Sequence, residues 1–170
     1  MKTLRTLLVI AMVILGSATV SFGQVSATAT ATGTIVTPIG ITNAGNMNFG
    51  NVAVSGTAGT VVLAPAGTRT LTGGVTLPAT AGTVSAAQFA VTGTANYTYS
   101  ITLPGTAITV TSGANTMSVG TFTSTPTPTG TLSGTGTQTV LVGATLSVGA
   151  SQLAGTYVSG TPFTVTVNYN

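Results

Sequence analysis

From Val25 to Ile35 the sequence alternates between two kinds of residue without a break. Val25, Ala27, Ala29, Ala31, Gly33 and Ile35 occupy one set of positions, and Ser26, Thr28, Thr30, Thr32 and Thr34 the other. Successive side chains of a β-strand point to opposite faces, so a period of two gives the segment one small apolar face and one hydroxyl face. A helix would scatter both kinds around its surface. The pattern returns at Phe163, Val165, Val167 and Tyr169, with Thr164, Thr166 and Asn168 between them. Between these ends, strands are predicted at Thr60–Pro65, Arg69–Leu77, Gln88–Thr92, Tyr97–Leu103, Ala107–Thr111, Met117–Phe122 and Thr139–Val148. Turn signals punctuate them at Ala66-Gly67, Gly73-Gly74, Pro104-Gly105, Ser112-Gly113 and Pro126-Thr127-Pro128. Many short strands so spaced predict an all-β chain folded as a sandwich or barrel, and of the two the antiparallel β-sandwich is the fold expected. No internal boundary divides it. The expected organisation is an alternating arm over residues 24–37 followed by one sandwich domain over 38–170.

The chemistry this chain can perform is narrowly bounded. It contains no Asp, Glu, His or Cys, and its only cations are Lys2, Arg5 and Arg69. General acid–base catalysis draws on groups that exchange protons near neutral pH. Metal sites draw on imidazole, thiolate or carboxylate. The expectation is therefore a non-enzymatic protein with no catalytic residues, no metal and no cofactor. No basic cluster is present to bind nucleic acid, and no Gly-rich segment has phosphate-binding spacing. Low charge often accompanies disorder, but disorder also requires low hydrophobicity, and 43% of these residues are apolar. Thr and Val are β-branched and suit a pleated surface.

Residues 1–23 read as a signal peptide. Lys2 and Arg5 precede the apolar run Leu7–Leu15, and the small residues that follow allow a cut before Gln24. The run is too short to span a bilayer, and none of the later segments approaches the ~20 apolar residues that would. The expected route is export through the periplasm to the cell surface or medium, with no membrane contact after cleavage. Without the arm's leader, Arg69 is the one expected charge, so little self-repulsion keeps copies apart. Sheet edges without charged gatekeepers invite pairing with another chain.

Both ends of the chain resemble the pilins of chaperone–usher fimbriae. In those proteins each subunit donates an alternating N-terminal strand to its neighbour, an instance of β-strand addition. A chaperone captures an alternating C-terminal strand with a penultimate aromatic. The resemblance makes Val25, Ala27, Ala29, Ala31, Gly33 and Ile35 a candidate donor strand, and Phe163, Val165, Val167 and Tyr169 a candidate chaperone-recognition strand. The alternative is a first strand paired within its own sheet. Implied partners are further copies of the chain, a periplasmic chaperone and an outer-membrane usher. Pilins of the type 1 class usually carry a cysteine pair, which this chain lacks. A second resemblance rests on Phe49-Gly50-Asn51-Val52 and on Gly67–Val75 (GTRTLTGGV), with AAQFAVTGTANYTYSITLP, TMSVGTFTSTP and GTYVSGTPFTVTVNY beyond them. These segments resemble the secreted bacterial family called domain of unknown function 4402. That likeness implies an immunoglobulin-like sandwich similar to fimbrial subunits, exported to the surface.

Three functions are open at this point: a structural subunit of a surface fibre joined by strand donation, a self-complete adhesin binding glycans or surfaces, and a Thr-rich ice- or surface-binding solenoid. The third needs a fixed repeat, and none continues past residue 35. Arg69 reads as a tie to loop carbonyls at the start of a strand or a solvent-facing side chain, or else as a ligand contact or inter-subunit anchor. Tyr97, Tyr99, Tyr157, Phe89 and Phe122 read as core plugs and cross-strand pairs, or as a sugar-stacking platform. Phe49-Gly50 marks a strand with a close backbone approach.

Overall fold

The computed structural model describes residues 23–170, so the expected signal peptide lies outside the described residues except for Gly23. The chain divides after Thr34, and residues 35–170 form one compact unit. Of the preceding unit, residues 23–34 are described; they are exposed and form no strand. The alternation predicts a strand over Val25–Ile35, yet no ladder forms there. A strand needs a paired edge, and an isolated one is not stable in water.

Among the described residues there are thirteen strands and no helix. They are β1 (Gly40–Gly45), β2 (Asn48–Phe49), β3 (Ala53–Leu63), β4 (Arg69–Thr76), β5 (Val84–Ser85), β6 (Ala87–Thr92), β7 (Thr98–Thr102), β8 (Ile108–Ser112), β9 (Asn115–Thr125), β10 (Thr129–Thr131), β11 (Thr137–Val148), β12 (Val158–Ser159) and β13 (Thr166–Tyr169). Every pairing is antiparallel. The larger sheet runs β1-β6-β11-β9-β8-β12, with β3 and then β4 attached to β11. A three-stranded sheet, β10-β7-β13, and the short pair β2-β5 complete the structure. The predicted antiparallel sandwich is what forms.

Strand β11 organises the core. Along one edge it pairs with β9 from Leu141 to Ser147. Along the other it pairs with β6 from Thr137 to Val142, then with β3 from Ala144 to Val148. Gly143 stands at the changeover, where a Cβ would run into the carbonyl oxygen of Leu63. Val140, Val142, Ala144, Leu146 and Val148 are all buried on one face of the strand. The changeover separates two apolar clusters. The first gathers Phe89, Val91, Val140 and Val142 beneath Tyr99, Leu132, Val165 and Val167, so the three-stranded sheet covers it. The second gathers Val61, Val75, Val110, Val119, Leu146 and Val148, and its partly buried partners include Met47, Phe49, Val52 and Tyr157.

Several local expectations change. Gly73-Gly74 is not a turn between strands. Both glycines lie inside β4, beside a bulge in β3 that bulkier residues would obstruct. The predicted strand Met117–Phe122 is part of a longer one, and a bulge interrupts it. Thr145 pairs with Gly120 and Gly143 with Thr123, while Thr121 takes a φ of 46°. The bulge shifts the inward phase from Met117 and Val119 to Phe122 and Ser124, which keeps Phe122 in contact with both clusters. The predicted C-terminal strand is paired only from Thr166, because β7 ends at Thr102 and is followed by Leu103-Pro104. Proline has no N–H with which to extend a ladder.

Tyr99 is fully buried, and its Oη donates to Oε1 of Gln138 at 2.6 Å. Burial pushes its phenol above the ordinary tyrosine range.

This packing makes two measurable differences. Gly143→Ala should lower the melting temperature by roughly 5–10 °C, corresponding to about 2–3 kcal/mol at the usual ~2–4 °C per kcal/mol for a chain of this size. Calorimetry of the purified protein checks it. The second concerns pH. With no Asp, Glu or His in the sequence, stability should be nearly flat between about pH 5 and 8. Because the folded phenol of Tyr99 titrates above the unfolded one, its contribution is full below about pH 10. It is lost as the unfolded form ionises first at higher pH. Tyr99→Phe should cost about 1 kcal/mol at pH 7 and show a smaller further loss than the parent between about pH 9 and 11, measured by urea denaturation at each pH.

Candidate assembly groove and the two chain ends

Over the second cluster the large sheet is faced by loops rather than by the three-stranded sheet, and a groove of about 1160 Å³ opens there. Its floor is the inner face of four adjacent strands: Phe89 of β6, Leu146 and Val148 of β11, Met117 and Val119 of β9, and Val110 of β8. One wall is the segment after β1, from Asn46 to Val54. The other is the segment before β13, from Gln152 to Ser159 with Pro162 and Phe163. No charged side chain lines it.

Both walls are held by polar contacts. Nη1 of Arg69 donates to the carbonyl oxygens of Phe49 at 2.7 Å and Asn51 at 3.0 Å. The one cation of the described residues thus ties loop carbonyls at the start of β4, the first of the roles its position in the sequence suggests. Gly50 lies beside it with φ of 69°, and a Cβ there would run into the carbonyl of Ala81, the close approach expected at Phe49-Gly50. In the second wall, Nε2 of Gln152 donates to Oη of Tyr157 at 2.8 Å, and that hydroxyl donates to the carbonyl of Leu153 at 2.8 Å. Ser151 N–H donates to the carbonyl of Ser55 at 2.9 Å, so the walls are joined at one end.

The candidate chaperone-recognition residues share one inward face. Val165 and Val167 are buried. Phe163 packs against Phe122 and Phe89, with ring centroids 4.9 and 6.1 Å apart, and Tyr169 lies edge-on to Tyr97 at 5.6 Å. Oη of Tyr169 accepts from Thr94 N–H at 2.7 Å and donates to the carbonyl of Thr37 at 2.9 Å. Thr37 N–H in turn donates to Oγ1 of Thr94 at 2.9 Å. Of the candidate donor residues, Val25 is 95% and Ile35 100% exposed. Of the aromatics, Tyr99, Phe89 and Phe122 are core residues, Tyr157 lines the groove, and only Tyr97 is substantially exposed. They form no stacking platform.

The fold and groove define a class: an antiparallel sandwich with a single cation among the described residues, whose inner face opens into a groove with an apolar floor between the segment after β1 and the segment before β13. The chain belongs to the family described as domain of unknown function (DUF4402), whose model matches residues 39–169. No curated protein and no solved structure matches it.

Because Arg69 ties the carbonyls of Phe49 and Asn51 in the first wall to the start of β4, Arg69→Met should destabilise the domain by about 1.5–3 kcal/mol, the usual worth of hydrogen bonds to a charged group. The midpoint of urea unfolding, compared with the parent chain, checks it.

Proposed function

We propose that this chain is a non-enzymatic structural subunit of a bacterial surface fibre, exported and then joined to its neighbours by β-strand donation. The observation that carries the reading is the state of residues 23–34. They have the alternation of a strand and no strand partner, while the unit that follows is folded and hydrogen-bonded. Among the described residues, no buried side-chain polar atom lacks a partner, so the folded unit does not need the arm to satisfy its buried polar side chains. An apolar face of Val25, small residues and Ile35 left in water is a liability in a lone particle. In a polymer it becomes a joint. The reading entails a periplasmic chaperone and an outer-membrane usher as assembly partners, and it requires no ligand.

Deleting residues 24–35 should leave an exported, folded protein with an unchanged melting temperature that no longer forms fibres. Electron microscopy of material sheared from the cell surface reads the result. Fibres of ordinary length from the deleted chain would overturn the proposal.

A further inference from the structure

We infer that the groove between residues 46–54 and 152–163 is the seat for residues 25–35 of a second copy of this chain. The inference rests on the strand-donation reading and adds to it the place where the donated strand is received.

Size and lining favour an extended peptide over a small molecule. At about 1160 Å³ the groove exceeds the ~300–1,000 Å³ usual for small-ligand pockets. Small-molecule sites set a few convergent polar groups into such a lining; here the floor is made only of aliphatic, Phe and Met side chains. The polar groups stand at the rim, where Asn43 and Asn46 offer neutral amides, while the amides of Asn51 and Gln152 donate to Thr80 and to Thr116 and Tyr157. Such amides suit the backbone of an extended chain. One backbone segment is also outside any ladder, with Pro162 its one residue lacking an N–H. Residues 160–165, which lead into β13, form no ladder although they continue its inward alternation through Phe163 and Val165.

The arm complements this lining in shape and in charge. Ala27, Ala29, Ala31 and Gly33 are small where the floor carries Phe89, Met117 and Leu146, so two backbones can approach closely. Val25 and Ile35 add bulk at the two ends of the strand. Neither the arm nor the groove carries a charge that burial would penalise.

Connectivity selects a second copy over the chain's own arm. Thr37 is fixed by Thr94 and Tyr169, beyond the end of β6 where Thr92 pairs with Gly40 and Thr137. The nearest groove residues on these strands, Asn43 and Phe89, pair three positions further along, roughly 10 Å at ~3.3 Å per residue. Val148 lies eleven residues from Thr137 along β11, about 36 Å by the same rise. Ile35 is two residues from Thr37 and can stray only about 7 Å from it. It therefore falls short of its own groove, and the whole apolar face from Val25 to Ile35 can be seated only in another molecule.

The test uses full-length exported chains with one Arg placed in either half of the joint. Ala29→Arg disables the donor, while Met117→Arg in the floor and Ala154→Arg on the exposed wall disable the acceptor. Circular dichroism reports folding, and Ala154→Arg serves if Met117→Arg does not fold. Each variant alone should lose fibres and run as a monomer by light scattering. Co-exporting Ala29→Arg with Ala154→Arg should give a complex of twice the monomer mass and nothing larger, since one partner can only receive and the other only donate. Folded groove variants that still build fibres, while Ala29→Arg does not, would overturn the groove and leave strand donation standing. Loss of fibres without the paired complex would also overturn it. Fibres from Ala29→Arg would remove strand donation itself, and the inference with it.

Discussion

Strand β11 contributes buried side chains to both halves of the core, and the pairing of its two edges decides the architecture. With β9 along one side, its other side must serve β6 and β3 in turn, because no single strand runs its full length. Gly143 makes the exchange physically feasible by letting the end of β3 approach without a side chain between. Beside β6 the three-stranded sheet covers the inner face; beside β3, loops do. A single change of partner thus gives the domain a closed end and an open one, and the groove is at the open end.

Charge would ordinarily solubilise and separate sheets of this kind. Here hydroxyl groups take over the first task and nothing takes over the second. The ladder registers align Thr72, Thr60, Ser147, Ser118 and Thr109 across β4, β3, β11, β9 and β8. This row runs about 19 Å at ~4.8 Å per strand. Thr60 and Thr72 are 2.7 Å apart at their hydroxyls, so part of the row is bonded to itself, and Ser147, Ser118 and Thr109 are exposed. Such a face is hydrated but creates no field, and edges such as that of β12 remain without gatekeeping charge.

The strands of the core were legible because alternation, β-branching and turn residues all pointed to the same result. Val61, Val91, Val140 and Val167 each sit where a period of two puts them, and Arg69 makes the carbonyl contacts its position suggested. What escaped was set by partners rather than by pattern. Strand β1 (GITNAG) has little apolar periodicity and is a strand because β6 offers it an edge. The bulge at Thr121 is invisible to a fixed period, since Thr gives no signal for positive φ. The groove could not be read at all. Met47, Met117, Leu146 and Val148 look like ordinary core residues, and only the topology leaves their face without a covering strand. Conversely, the arm showed the clearest strand pattern of all and forms no strand, because pattern specifies faces and says nothing of whether an edge is at hand.

A donated arm of this composition would bind chiefly through its main chain. Alanine and glycine bury little apolar surface, so at ~25 cal/mol per Å² the central residues contribute little by hydrophobic transfer alone. A ladder of roughly ten backbone hydrogen bonds, each worth about 1 kcal/mol net, would contribute more. Backbone bonding is indifferent to side-chain identity, which is why so repetitive a segment can serve. Specificity would then rest with Val25 and Ile35 at its ends, and with a floor shaped to reject anything bulkier between them. The joint would be set by how closely two main chains can approach, and the small residues are what permit that distance.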